Sequence, residues 1–552
     1  MPKIPKLKIT LIGFLFLLPS IVGAVSVGET INFYIDPSYD LSKREEISAV
    51  LVRITNQIYF YAEKEWWQSL DYLKKQEIEG KLYNLSAEFE HKIYPTLTAT
   101  FGFEPKPGID GDEKITVLFH PMSKEAGGYF NSSNLYSKLQ YPKSNEREMV
   151  YLNSQQIESA NLKALLSHEF MHLITANQKE LLRGVVEEIW LNEARAEYVP
   201  TLLGYNDEYS GSELEKRVKV FLENPNDSLT EWQNKKNDYG VINLFIHYLV
   251  DHYGVKILAD SLQSSKIGIA SINEALAKNG FKEDFSQIFT DWLIAVVVGD
   301  CSLSPKYCYL NNNLKNLKIV PTTQLIPLGT ESIFSFFNNT KEWAGNWQKI
   351  IGGKENLKLE FDGTDETIFK VPYLVCDSQE KCQVNFLNLD KNQKGEVSFS
   401  EFNKKYSSLT IIPSVQNKIS GFENPEPSFS FSWKVSSYGN NSGKNTEPVK
   451  TEPSNPSSSA YKGIPPGFKF EKNLYLGQRI SDVVYLKIIL AAEGCVSGLA
   501  NTNYFGPQTL AGVKCFQKKY RAEISAAAGY QIAVTGFVGS GTRVKLNKLL
   551  GF

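Results

Sequence analysis

The spacing of apolar residues changes along this 552-residue chain, and the changes mark out its parts. Residues 44–98 place them mostly three and four apart, as in "SAVLVRITNQIYFYAEKEWWQSL", which predicts helix. The short β-branched runs "KITVLFHPM" (114–122) and "EMVYLN" (148–153) predict strands. Helical spacing then dominates from Asn161 to Val298, with polar breaks near 205–212 and 224–237. From 320 to 434 the pattern shortens to strand-length runs between turns: "LKIVPTTQLI", "LKLEF", "IFKVPYLV", "SSLTIIPSV" and "SFSFSW". That texture predicts a β-sandwich-like module. The fold class is therefore multidomain α+β.

Both ends differ from the body. Residues 435–466 are Ser-, Asn-, Pro- and Gly-rich with almost nothing to bury, which predicts a flexible, disordered linker. The segment 467–552 is compact and all-α, with apolar sets Val483, Leu486, Leu490, then Val513, Phe516, Tyr520, then Val544 and Leu549. Gly506-Pro507 and Gly539-Ser540 start its later helices. At the N-terminus, Lys3, Lys6 and Lys8 precede an apolar run from Ile9 to Leu18, and Val22 and Ala24 stand before an expected cut. These are the three parts of a secretory signal spanning residues 1–24; the alternative is an uncleaved anchor. No other stretch is apolar enough to span a bilayer, so Val25 onward is expected to be secreted or associated with the cell wall.

Composition narrows the function classes. The chain is 42% apolar, enough for large cores, and its formal net charge is −2. Nucleic acid is not an expected partner, because no concentrated basic face is available. The cysteines fall into three local pairs, Cys301 with Cys308, Cys376 with Cys382, and Cys495 with Cys515. An even count in an exported chain points to disulfides, and the absence of a CxxC pair argues against a thiolate metal site.

The chemistry concentrates in "ALLSHEFMHLITANQ" (164–178), which holds two of only six histidines. At positions i and i+4 of a helix, His168 and His172 project from one face and can offer nitrogens to one cation. Glu169 sits one step round, placed to reach a water on the open side of that cation, the HExxH arrangement of zinc proteases. A third protein ligand is required. "VEEIWLNEARAEYV" (186–199) supplies Glu193, with Glu197 one turn on to orient a ligand histidine and Asn192 beside it. Glu187 and Glu188 are substitutes, and Trp190 and Leu191 read as core.

"HEFMH" followed by "WLNEARAEY" resembles the gluzincin metallopeptidases, and "GIDGDEKITVLFH", "GGYFN", "SNEREMVYLN" and "NDYGVINLFIHYL" resemble hyicolysin-like secreted peptidases over residues 28–310. The metzincin pattern is excluded by Thr175 and Gln178. The resemblance implies a zincin-type metallopeptidase domain over 25–317, a Zn2+ cofactor held by His168, His172 and Glu193, and Glu169 as general base. It further implies that Gly128, Tyr129 and Phe130, in "GGYFN", form an edge strand that a peptide substrate extends; a plain glycine turn is the competing reading. Tyr239, with His247 as runner-up, is the expected oxyanion donor. "DKNQKGEVSFSE" (390–401) matches part of a calcium loop, but Lys394 stands where a ligand oxygen belongs, so a turn between strands is expected.

In the last segment, Phe505, Gly506, Thr509, Gly512, Val513, Phe516 and Gln517 resemble the FGxxTxxAVxxFQ pattern of three-helix peptidoglycan-binding modules. Lys487 replaces a usual glutamine and residues 521–535 are an insertion. The layout is therefore 25–317 metallopeptidase, 318–434 β-sandwich-like, 435–466 linker and 467–552 peptidoglycan-binding-like. The expected function is a secreted zinc endopeptidase tethered to the cell wall, acting on protein or peptide. The alternatives are an inactive adhesive surface protein and a peptidase of peptidoglycan cross-bridges.

Overall fold

A computed structural model describes residues 25–439, 461, 463–465, 467–496, 502–528 and 534–552. The expected signal at 1–24 and most of the expected linker lie outside the described residues. The chain divides into two compact units, one of residues up to Pro95 with Pro105–Leu173, the other of Thr96–Glu104 with Ile174 onward.

The first unit is built on a six-stranded sheet. Its strands are β1 (Thr30–Tyr34), β2 (Glu46–Ile54), β3 (Ile58–Glu63), β4 (Ile115–His120), β5 (Gly128–Phe130) and β6 (Met149–Asn153), in the order β1-β2-β3-β4-β6-β5. β3, β4 and β6 run parallel and are buried at every residue, as strands covered on both faces are. β5 pairs antiparallel with β6 and closes one edge. Helices α1 (Lys64–Ser69), α2 (Tyr72–Glu88) and α3 (Tyr94–Phe101) follow β3, and α4 (Leu162–Ala176) follows β6.

The helix expected from residue 44 onward is corrected here. Residues 46–63 form the antiparallel pair β2–β3, and helix begins only at Lys64. Ile47, Ala49 and Leu51 are buried while Ser48 and Val50 are not, a period of two. So many consecutive positions are apolar that a three-and-four spacing can also be traced through them. The β-branched and aromatic content (Ile, Val, Tyr, Phe) favours the sheet.

The second unit contains α5 (Ile189–Leu202), α6 (Glu213–Glu223), α7 (Lys236–Tyr253), α8 (Lys256–Leu262), α9 (Gly268–Lys278) and α10 (Phe285–Val298). Asp284 caps α10 by accepting from the Gln287 N–H, and Gly299 ends it in the left-handed conformation (φ 53°). Eleven strands follow: β7 (Thr322–Ile326), β8 (Ser332–Thr340), β9 (Gln348–Gly352), β10 (Asn356–Gly363), β11 (Phe369–Lys370), β12 (Pro372–Cys376), β13 (Cys382–Phe386), β14 (Lys394–Phe399), β15 (Ser408–Ile411), β16 (Ser414–Val415) and β17 (Phe429–Tyr438). They make a four-stranded sheet, β14-β10-β17-β8, a five-stranded sheet, β13-β12-β15-β9-β7, and the small pair β11-β16. Leu359, Phe361 and Trp433 from one large sheet share a core with Ile350, Val375 and Leu409 from the other.

This β-module is fastened to α10. The Trp343 ring lies 5.0 Å from Phe285 and 5.3 Å from Phe289, and Trp347 Nε1 donates to the Leu293 carbonyl at 2.9 Å. The expected boundary at 434–435 falls inside a strand. β17 runs through residues 435–438, with Val435 and Ser437 buried and paired to β10 and β8. Tyr461 belongs to the C-terminal core.

The C-terminal segment holds α11 (Asp482–Ala492), α12 (Pro507–Lys519), α13 (Arg521–Ala528) and α14 (Ser540–Leu549), so the expected insertion at 521–535 carries a helix of its own. Val544 is 50% exposed; Leu546, two residues on, takes the core position. Lys487 is buried and its ammonium donates to the Thr502 carbonyl and hydroxyl at 3.0 Å each. All three expected cysteine pairs are bonded. No helix among the described residues is long and apolar enough to cross a membrane.

Candidate metal centre

Helix α4 is fixed by its apolar side. Leu166, Phe170 and Leu173 are buried, and the Phe170 ring lies 5.0 Å from Phe89 and 5.8 Å from Tyr94. That packing sets the rotation of the helix and sends His168 and His172 out together. Their Nε2 atoms lie 3.1 Å apart. Two nitrogens on one tetrahedral cation at about 2.0–2.1 Å each would be about 3.3 Å apart, so the pair fits shared ligation.

Glu193 is carried by α5, whose Trp190, Leu191 and Ala194 are buried. The ligating atoms of His168, His172 and Glu193 all lie within 4.8 Å of one another. Among the described residues, no other three His, Cys, Asp or Glu side chains meet in this way. Two imidazoles and a carboxylate are the donor set of a borderline-soft divalent ion.

The two substitutes for Glu193 are occupied elsewhere. Glu187 is buried, receives Arg195 at 2.8 Å, lies 3.4 Å from the Lys179 ammonium, and accepts from the Gly268 N–H at 2.7 Å. Burial pushes its pKa up, and Arg195 and Lys179 more than reverse this, leaving it lowered. Glu188 accepts from Trp190 Nε1 at 2.6 Å. Asn192 and Glu193 are half-buried. Glu197, one turn beyond Glu193, takes the fork of Arg217 at 2.7 Å on each oxygen and the Asn243 amide at 3.0 Å.

Glu169 is 6% exposed and faces the sheet edge. A Cβ on Gly128 would lie 3.0 Å from Glu169 Oε1 and 2.6 Å from the Tyr151 carbonyl oxygen, so only glycine fits there. The Asn153 N–H donates to the Gly127 carbonyl at 2.9 Å. Antiparallel alternation then turns the backbone groups of Gly128 and Phe130 away from β6, toward the open edge beside Glu169. Tyr129 points the other way: its ring stacks on Tyr151 at 4.2 Å and Tyr39 at 4.5 Å, so its side chain is core.

Against these geometries stand the comparisons with known proteins. The chain is similar to the neutral metalloprotease ShpI of Staphylococcus hyicus, 25% identical over 258 residues. The match covers 42% of this chain and 55% of that one, so the chain spans about half the length of the relative it matches. A metalloprotease relationship is therefore supported. No family model matches. Two solved structures overlap 21% of the chain: the pre-peptidase C-terminal domain of collagenase from Bacillus anthracis (9% identity, 96% of that chain, TM-score 0.14) and PliG, a periplasmic lysozyme inhibitor from Aeromonas hydrophila (8%, 98%, 0.15).

Tyr239 stands in the first turn of α7. Its ring lies 4.6 Å from the Arg217 guanidinium and 4.9 Å from Trp232, and its hydroxyl lies 3.4 Å from Asn234 Oδ1. His247, the runner-up, is fully buried with Nδ1 2.7 Å from the Asn243 carbonyl and Nε2 2.7 Å from Thr201 Oγ1. Burial pushes its pKa down to about 4, so it is a neutral structural side chain with both nitrogens engaged. The calcium-like loop is a turn: Asp390 Oδ1 accepts from the N–H groups of Asn392 and Lys394. Arg217, which joins Glu197 to Tyr239, carries no motif and was invisible in the sequence.

Proposed function

We propose that this chain is an exported zinc endopeptidase held at the cell wall by its C-terminal module. The observation that carries the reading is the meeting of His168, His172 and Glu193 within 4.8 Å. His168, His172 and Glu193 would hold a zinc ion, which when bound would supply an acidified water and polarisation of a peptide carbonyl.

Glu169 does the proton work. Its carboxylate takes a proton from the attacking water and returns it to the leaving amine. The peptide lies along β5, pairing its backbone with Gly128 and Phe130, which brings the scissile carbonyl beside Glu169. Tyr239 donates to the developing oxyanion, and Arg217 above its ring fixes it. Glu197, gripped by Arg217 and Asn243, steadies the helix that carries Glu193 and is the residue assigned to orient a ligand histidine. The likeness to ShpI supports protein or peptide as substrate. Residues 1–24 serve as the export signal, and the segment 467–552 binds peptidoglycan.

Glu169→Gln tests this directly. The variant is expected to keep one zinc per chain, by metal analysis, and to lose casein hydrolysis about 10³-fold. Retained turnover against a chelated control removes Glu169 from the mechanism.

A further inference from the structure

Loop 226–232 runs from α6 to the start of α7, the part of the chain that carries Tyr239. Many of its ties are to residues far away in sequence. Asn226 Nδ2 donates to the Gly345 carbonyl at 2.9 Å, and Ser228 Oγ to the Glu342 carbonyl at 2.7 Å. The Leu229 N–H donates to the Trp343 carbonyl at 2.9 Å. Glu231, 2% exposed, receives the Lys341 ammonium on both oxygens at 2.6 and 2.5 Å and the Glu426 N–H at 2.9 Å. The Trp232 N–H donates to Asn424 Oδ1 at 2.5 Å. Every one of these partners belongs to the β-module.

The contacts continue inward. Trp232 meets the Tyr239 ring edge-on at 4.9 Å, Tyr239 lies under Arg217, and Arg217 forks onto Glu197, one turn from Glu193 on α5. Inside the loop, Ser228 Oγ accepts from the Thr230 and Glu231 N–H groups and Leu229 is buried, and the remaining ties of residues 226–232 named above reach the β-module. Glu231 is buried while Lys341 is partly exposed, so the pair constrains position chiefly because Glu231 without Lys341 is a buried uncompensated charge.

We propose that the β-module is a positioning element for the catalytic centre: through Lys341 and Asn424 it sets loop 226–232, and through Trp232 it sets Tyr239. The inference rests on the proposed peptidase reading. It makes the β-module a working part of the enzyme, so that Lys341 and Asn424 are positioning residues for a donor they do not touch.

The test uses the full chain with Lys341→Met, Asn424→Ala and the conservative Lys341→Arg. Lys394→Met, on the outer sheet of the same module, is the control. Peptide hydrolysis is expected to fall about tenfold in kcat with KM within about twofold for Lys341→Met and Asn424→Ala. Lys341→Arg is expected to recover most of it and Lys394→Met to match the parent. Hydrogen exchange is followed on the same samples, with faster exchange expected across residues 226–239 in Lys341→Met and Asn424→Ala. Unchanged kcat with unchanged exchange overturns the proposal, as does an equal loss in Lys394→Met. If Lys341→Met does not fold, Asn424→Ala decides. If the parent chain neither holds zinc nor hydrolyses peptide, the peptidase reading fails separately and exchange alone judges the clamp.

Discussion

Two polar clusters lie along the same stretch of chain and have opposite logic. In one, Lys179, Glu187 and Arg195 satisfy each other: Lys179 also donates to the Ser261 and Ser264 carbonyls at 2.8 and 3.0 Å, and Arg195 to Ser261 Oγ at 2.8 Å. In the other, His168, His172 and Glu193 bring donor atoms of one kind, lone pairs, toward a common point. Opposite charges close a cluster on itself; two imidazoles and a carboxylate gathered at one point are a donor set that suits a cation. The difference explains why Glu193 and not Glu187 is available as a ligand, although both stand in one acidic stretch.

That contrast can be broken at its strongest point. Glu187→Ala leaves Lys179 and Arg195 uncompensated and is expected to cost about 3–5 kcal/mol of stability, read from urea unfolding of the metal-free chain. Glu193→Ala is expected to cost the metal-free chain under about 1 kcal/mol yet abolish zinc retention after dialysis. Equal stability losses would erase the distinction between the clusters.

Histidines sharpen it next. His120, buried beside Asp40, and His247 are both pushed by burial down to about 4. The unfolded chain protonates near 6.5 and the folded chain refuses that proton, so stability falls as pH drops from about 6.5 to about 4. The loss is up to about 3 kcal/mol for each, and replacing His247 by Gln should flatten the slope of urea midpoint against pH. A slope unchanged by that substitution would place the titration elsewhere.

The smallest effect concerns the space beside Glu169. Gly128→Ala forces a methyl against Glu169 and the Tyr151 carbonyl. Hydrolysis is expected to fall about tenfold with zinc content unchanged. Full activity would show that the β5 edge and Glu169 need not keep their approach.

How much of this the sequence disclosed follows from range. The histidine pair was legible because four residues on a helix is a local rule, and the short parallel strands because their β-branched runs had turns around them. Residues 46–63 misled because nearly continuous apolarity satisfies two periodicities at once. Choosing among Glu187, Glu188 and Glu193 required knowing where Lys179 and Arg195 would lie, and the identity of a distant partner is not written in spacing. Sequence alone groups Tyr129 with Gly128 and Phe130 as a substrate-binding edge, and only the fold shows its ring stacked inward on Tyr151 and Tyr39. Loop 226–232 was read only as a polar break, since its partners are more than a hundred residues on.

Each disulfide joins residues only 6, 7 or 20 positions apart. Closing such small rings restrains the unfolded chain by about 2–3 kcal/mol apiece, and the restraint stays within one neighbourhood. Reductant would therefore loosen three separate places without unfastening the β-module from α10, whose hold is indole against phenyl ring. An environment that swings between oxidising and reducing would act on these three short rings and leave that aromatic seam as it is.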